Sequence, residues 1–248
     1  MAHDSQMAFF ADAISSFPGH FSGRVLDVGS YDINGGPQHL FDAMEYVGVD
    51  LVPGPSVTLV GRAQELEFPD HHFDVTMSSE CFEHNEAWPA TLTNMIRMTR
   101  PSGLVIFTAA STGRLEHGTR KSDGGWAFPG LSAVDRDWYR NLTRRAVMRV
   151  VRGAPLDFVG VSVDKGAGDL CFIGLVSPAS PDDMTRAERV ISLHAARTRG
   201  NAYPGSWSYR WVLTLFGDRG IRIATEVRKA THRAFGRSRG RGGAAHGT

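Results

Sequence analysis

Arg24-Val-Leu-Asp-Val-Gly-Ser-Tyr-Asp-Ile-Asn-Gly-Gly36 is the stretch from which the rest of the chain is read. Val25 to Gly29 is a short apolar run, and Ser30 to Gly36 is a polar, glycine-containing turn, the pattern of a strand running into a loop. A helix-like stretch from Gln38 to Met44 and a second strand-like run, Tyr46 to Asp50, complete a β-α-β unit. Gly29, Gly35 and Gly36 let the backbone come close to a ligand at the carboxyl end of the first strand, where open parallel sheets bind their ligands. The G-x-G-x-x-G spacing of a dinucleotide site is absent, because Ser30 follows Gly29 and the glycine pair arrives six residues on.

Working outward, strand candidates follow at Val57–Val60, Phe73–Ser78 and Leu104–Ala109, with a helical pattern from Ala87 to Thr99 that puts Leu92, Met95 and Ile96 on one face. Strands alternating with helices imply a parallel sheet covered on both faces. Ser111 to Asp135 is glycine-rich and polar with Trp126 and Phe128 embedded, and a loop of that length in a compact domain suggests a lid. A helix opened by a Thr143 cap precedes two strand runs, Leu156–Val163 and Leu170–Val176, whose short connection makes them an antiparallel hairpin. Three helical segments follow, Asp182 to Arg199, Trp207 to Phe216 and Ile221 to Phe235, and then an Arg/Gly tail. The expected organisation is a catalytic-type domain over 1–178, a helical extension over 179–235 and a disordered tail over 236–248.

The 248 residues are 42% hydrophobic, enough for one sizeable core, and 27 Lys and Arg against 26 Asp and Glu leave no electrostatic footprint for nucleic acid. Cys81 and Cys171 lie in apolar runs and read as buried free thiols of a reducing compartment. Met1 to Phe17 lacks the basic start and apolar block of a signal peptide, and no stretch reaches the ~20 apolar residues of a membrane span, so a cytoplasmic protein is expected.

Two carboxylates stand where chemistry is expected. Asp50 ends the second strand and can accept both ribose hydroxyls of an adenosine moiety; Asp27, near the end of the first, can meet a cationic ligand group. One acid for a ribose and one for an ammonium is what an adenosyl-amino-acid cofactor requires.

Val25-Leu-Asp-Val-Gly-Ser30, Tyr46-Val-Gly-Val-Asp50, Phe73-Asp-Val-Thr-Met-Ser-Ser-Glu-Cys-Phe-Glu-His84 and Arg100-Pro-Ser-Gly-Leu-Val-Ile-Phe-Thr108 resemble, in order and spacing, the motifs of class I S-adenosylmethionine-dependent methyltransferases, with the methyltransferase-11-like subgroup the closest flavour. The resemblance covers roughly residues 20–178. It implies a Rossmann-like α/β fold with a mostly parallel seven-stranded sheet and an antiparallel terminal hairpin. It also implies S-adenosylmethionine as cofactor, with Asp27, Gly29 and Ser30 around the methionine part, Asp50 on the ribose, Leu51 beside the adenine, and Ser78, Ser79 and Glu80 along the cofactor's inner edge. Two positions depart from the pattern. Tyr31 stands where a second glycine is usual, which shifts the turn onto Asn34 and Gly35. Arg62 stands where an acid often meets the adenine amino group, which leaves that contact to the Ala63 backbone and the Gln64 amide.

The methyl group of such a cofactor is already activated on a sulfonium, so the protein has to align the acceptor and accept its proton. His84 is the expected general base, oriented by Glu80 or Glu83; alternatively either acid, with another, helps to hold a divalent ion such as magnesium. No dedicated metal cluster is assigned, and His71-His72 are expected at the far end of the sheet, in solvent. Loop residues His117, Arg120, Lys121, Asp123, Trp126, Trp138, Tyr139 and Arg140 are candidates to close over an acceptor. O-methylation of a sugar or other small metabolite is the expected reaction; the alternatives are N-methylation or a noncatalytic subunit that keeps the fold. A homo-oligomer through the C-terminal helices is the expected partner, with no nucleic acid and no membrane.

Overall fold

The computed structural model describes residues 4–33, 35–41, 45–122, 129–202, 211–213, 215–217, 219 and 220. The chain divides into a unit spanning Met1–Ala202 and a second spanning Tyr203–Thr248. In the second, residues 211–213, 215–217 and 219–220 are helical. The expected helix Ile221 to Phe235, the Arg/Gly tail and half of the Trp207 to Phe216 segment lie outside the described residues.

In the first unit, helix α1 (Asp4–Ser16) precedes strand β1 (Arg24–Val28). Then come β2 (Glu45–Asp50), β3 (Leu59–Val60), β4 (Phe73–Ser79), helix α2 (Trp88–Met98) and β5 (Thr99–Ala110). Helix α3 (Arg144–Val150), strands β6 (Leu156–Asp164) and β7 (Asp169–Val176) and helix α4 (Pro181–Thr198) complete the unit. The seven strands form one sheet in the order β3-β2-β1-β4-β5-β7-β6, parallel except for β7, which runs antiparallel to both neighbours. This is the mixed α/β sheet and terminal hairpin expected from the sequence.

The strand order reverses direction between β1 and β4. Chain leaving β1 goes to one side and chain leaving β4 to the other, so their carboxyl ends part and leave a crevice there.

Period-two alternation builds a core on each face of the sheet. Val25, Val75, Met77, Leu104, Ile106, Cys171 and Ile173 pack with Phe9, Phe10 and Phe17 of the α1 region and with Ala187 and Val190 of α4. Their strand neighbours Leu26, Val105, Phe107 and Phe172 pack on the other face with Leu92, Met95 and Ile96 of α2 and Val147 of α3. Phe107 and Phe172 are register partners across β5 and β7, and their rings stack at 4.7 Å. The face of α2 read from the sequence is the buried one.

Three local expectations are corrected. The stretch expected as a helix from Gln38 to Met44 forms a 3₁₀ turn, Pro37–Phe41, anchored by buried Pro37 and Phe41, and 42–44 lie outside the described residues. The strand expected over Val57–Val60 pairs only through Leu59 and Val60, because the Thr58 amide and hydroxyl both bond to Gly48 at the sheet edge. The helix expected to open the C-terminal extension belongs to the compact unit. Ser180 caps α4 by accepting from the Asp183 amide at 3.0 Å, Pro181 occupies its first turn, and Arg197 pairs with Asp12 of α1. Thr143 caps α3 as expected, accepting from the Ala146 amide at 3.1 Å.

Candidate active site

A cavity of about 870 Å³ opens at the carboxyl ends of β1, β2 and β4. Asp27, Gly29, Tyr31, Asp50, Leu51, Arg62, Ala63 and Gln64 line one part of it, and Ser79, Glu80, Cys81, His84, His117 and Trp138 are among those lining the rest. Its position follows from the strand order described above.

Gly29 takes φ +77°, and a Cβ there would meet the Cβ of Cys81 at 2.4 Å. Only glycine fits both the conformation and the space. Its amide and that of Ser30 both donate to the Val49 carbonyl, at 2.8 and 3.1 Å, which ties the turn to the end of β2.

Asp50 is buried. Its Oδ2 accepts from the Tyr31 amide at 3.1 Å and its Oδ1 from the Leu51 amide at 2.6 Å, so the carboxylate is fixed while both oxygens keep further acceptor capacity. Burial raises its pKa and the two amides oppose that rise. Asp27 is 1% exposed. The Tyr46 hydroxyl donates to its Oδ2 at 2.7 Å, and its Oδ1 has no hydrogen-bond partner. Burial pushes its carboxyl up to about 7; the Tyr46 hydroxyl lowers it and Asp50 raises it slightly.

Tyr46 is a residue the sequence reading missed as a site residue. It precedes Gly48 by two on β2, hence on the same face, and a Cβ at Gly48 would meet its ring at 2.7 Å. Gly48 is also the register partner of Asp27. The missing side chain lets the phenol pass along the strand to the acid, and the Tyr-x-Gly spacing was the available signal.

Two of the expected cofactor residues do not line the cavity. Ser78 is buried and its hydroxyl donates to the Val28 carbonyl at 2.8 Å, a strand-to-strand tie, and Ser30 is likewise buried. Cys81, a free thiol, lines the cavity beside Gly29. At the other side, the Ala63 carbonyl accepts from Asn94 at 2.9 Å and Gln64 Oε1 faces the Thr91 hydroxyl at 3.5 Å, so α2 holds this short turn in place. Asn34 lies outside the described residues.

The three residues expected to act on an acceptor have different surroundings. Glu80 takes φ +53° at the end of β4. Its Oε1 accepts from Gln6 Nε2 at 2.6 Å and its Oε2 lies 3.3 Å from Arg114, which also binds Asp169 at 2.6 Å. That network holds α1, the end of β4 and β7 together and engages both carboxylate oxygens of Glu80, which also lines the cavity. Gln6, Arg114 and Asp169 carried no local sequence signal, being 34 to 89 residues from Glu80 in the chain.

Glu83 and His84 belong to a 3₁₀ turn, Phe82–His84. Glu83 is fully buried, and burial, with the Glu80 charge adding to it, holds its carboxyl well above the usual range. His117 Nε2 lies 3.9 Å from Glu83 Oε1. The rings of His84, His117 and Tyr139 pack mutually edge-on with centroids 5.2 to 5.3 Å apart. The loop expected as a lid therefore brings His117 and Gly118 to the cavity, followed by the Pro129–Ala133 turn with Leu131. Asp123, Trp126 and Phe128 lie outside the described residues. His71 and His72 sit at the opposite end of β4, His72 stacked on Phe68 at 5.3 Å, and take no part in the site.

Residues 31–107 match the family model described as a methyltransferase domain. No curated protein matches the chain significantly. Among solved structures, the chain is similar to the 1,6-didemethyltoxoflavin-N1-methyltransferase of Burkholderia thailandensis, solved with its namesake compound and S-adenosylhomocysteine, at 18% identity over 68% of this chain and 78% of that one, TM-score 0.47. It is similar to phosphoethanolamine N-methyltransferase 2 of Haemonchus contortus, in complex with S-adenosyl-L-methionine, at 18% identity, 91% and 49% coverage and TM-score 0.46, so it spans about half of that protein. A SAM-dependent methyltransferase from Archaeoglobus fulgidus matches at 14% identity, 68% and 94% coverage and TM-score 0.46. Among the described residues no helix is long and apolar enough to cross a membrane.

Proposed function

We infer that this chain, whose residues 31–107 match a methyltransferase-domain model, is a class I S-adenosylmethionine-dependent methyltransferase that holds that cofactor in the cavity above β1 and β2 and methylates a hydroxyl of a small acceptor such as a sugar. The observation that carries the reading is the pair of buried carboxylates on adjacent strands, Asp27 and Asp50, flanking one glycine-lined cavity. Asp27 Oδ1, without a protein partner, suits the cofactor's ammonium, directly or through a water. Asp50, already oriented by two amides, suits the ribose hydroxyls, with Leu51, Ala63 and Gln64 beside the adenine.

The cavity lies near the top of the roughly 300–1,000 Å³ range of small-molecule sites, which leaves room for an acceptor beside the cofactor. The end carrying Glu83, His84 and His117 is where an acceptor hydroxyl would be held and give up its proton. Glu80 shapes this end through Gln6 and Arg114 rather than taking part in proton transfer.

Incubation with methyl-labelled S-adenosylmethionine and a panel of hydroxylated small molecules, sugars first, tests the reading. It is supported by an acceptor-dependent labelled ether whose formation falls at least tenfold in His84→Ala. Label that enters only amines, or no transfer from bound cofactor to any acceptor, would overturn the hydroxyl assignment.

A further inference from the structure

We propose that Glu83, His84 and His117 form a binding site for a transition-metal dication of the zinc type at the acceptor end of the cavity. The three residues come from two separate segments, the Phe82–His84 turn and the loop after β5, and each offers a ligand atom within 4.8 Å of the others.

Glu83 is the first observation. Its side chain is fully buried and neither carboxylate oxygen makes a hydrogen bond of good geometry, although the amides of Glu83 itself and of Ala110 lie near enough to ease its ionisation. A buried carboxyl without a partner is destabilising, and a cation is the partner that removes the penalty. Arg114 does not fill that role, because its guanidinium pairs with Glu80 and Asp169.

The second observation is the support of His117. Its Nδ1 lies 3.0 Å from the Leu115 carbonyl and 3.1 Å from the Tyr139 hydroxyl, while Nε2 faces Glu83. An imidazole held by a carbonyl at one nitrogen presents the lone pair of the other, the arrangement that orients metal-bound histidines. Gly118, at φ +64°, turns the loop so closely past His84 that a Cβ there would meet its Cε1 at 3.1 Å.

Two imidazoles and one carboxylate suit zinc and its neighbours, whereas magnesium and calcium prefer oxygen ligands throughout. Three protein ligands leave a position open, and His84 and His117 both line the cavity, so that position faces the acceptor. The assignment rests on the proposed reading of this end as the acceptor site. It gives His84 the role of a ligand in place of the direct base expected from the sequence.

The test is calorimetric titration of the full chain, stripped by chelator, with zinc, and with cobalt followed by visible absorption. One ion per chain is expected, with cobalt bands of a nitrogen- and oxygen-ligated site. Affinity should fall at least a hundredfold in His117→Ala and Glu83→Gln and about ten- to a hundredfold in Tyr139→Phe. Glu83→Gln keeps the volume and removes the charge, so it separates lost ligation from lost folding. S-adenosylmethionine titrated into the same samples separates this proposal from the reading beneath it. No saturable ion in a folded chain, or an ion retained by both His117→Ala and Glu83→Gln, would overturn the site whether or not the cofactor binds.

Discussion

The Tyr46 hydroxyl donates to Oδ2 of Asp27 at 2.7 Å across the space that Gly48 leaves, and Oδ1 of the same buried carboxylate has no partner. Asp27 is thus half satisfied by the fold and half reserved. The groups facing it are Tyr46 and, through space, Asp50, and burial holds it at about 7. A cationic ligand requires it ionised, so affinity for S-adenosylmethionine should rise as pH increases from about 6 to 7.5, with most of the rise abolished in Asp27→Asn. Calorimetry at the two pH values checks this.

The same shift has a consequence for stability. The folded pKa of Asp27 lies above its unfolded value, so the folded state binds the extra proton, and the benefit is present in acid and lost as pH rises from about 4 through 7. Asp27→Asn should therefore stabilise the unliganded protein at pH 8, by on the order of 1 to 3 kcal/mol, while weakening cofactor binding. Urea denaturation of both proteins at about pH 5 and pH 8 reads the difference. Equal stabilities at pH 8 would mean that Asp27 is not held above its normal range.

Tyr46→Phe removes the donor and leaves Asp27 with neither oxygen bonded. A hydrogen bond to a charged group contributes about 1.5 to 3 kcal/mol, so cofactor affinity at neutral pH should fall roughly tenfold or more. The measurement is the same titration, with the melting temperature as a control for folding.

Arg114 is the cation of a mostly buried cluster with Glu80 and Asp169, to which Gln6 adds a neutral donor. Arg114→Met leaves two carboxyls uncompensated and should destabilise by about 3 to 5 kcal/mol, against about 1 to 3 for Gln6→Ala. Chemical denaturation ranks the two, and the reverse order would show that the Gln6 hydrogen bond from α1, rather than the Arg114 ion pairs, contributes most to the network.

Much of the fold was legible because it is written in local patterns. Short apolar runs marked the seven strands, although only Leu59 and Val60 of the run at Val57–Val60 pair, and the apolar face of α2 and the Thr143 cap were readable within a few residues. The 3₁₀ turn at Pro37–Phe41 was not, since the sequence from Gln38 supports a helix and the choice is made by buried Pro37 and Phe41 packing on the unit. At the site, strand-end acids and Gly29 were readable because a strand followed by glycine fixes where a side chain stands. The partners of Glu80 were not legible because they arrive from α1 and from the loop after β5, and His117 gained its place opposite Glu83 by the same long-range folding. Spacing within a motif carries no information about such meetings.

The central claim is most directly tested by titrating the protein with S-adenosylmethionine and S-adenosylhomocysteine, beside a reduced nicotinamide dinucleotide and an Asp50→Ala variant whose folding is verified by its melting curve. Saturable binding of the first two, none of the dinucleotide, and about a hundredfold loss in the variant are the predicted results. A folded wild-type protein that binds neither adenosyl compound, or that binds them equally well without Asp50, would contradict the account.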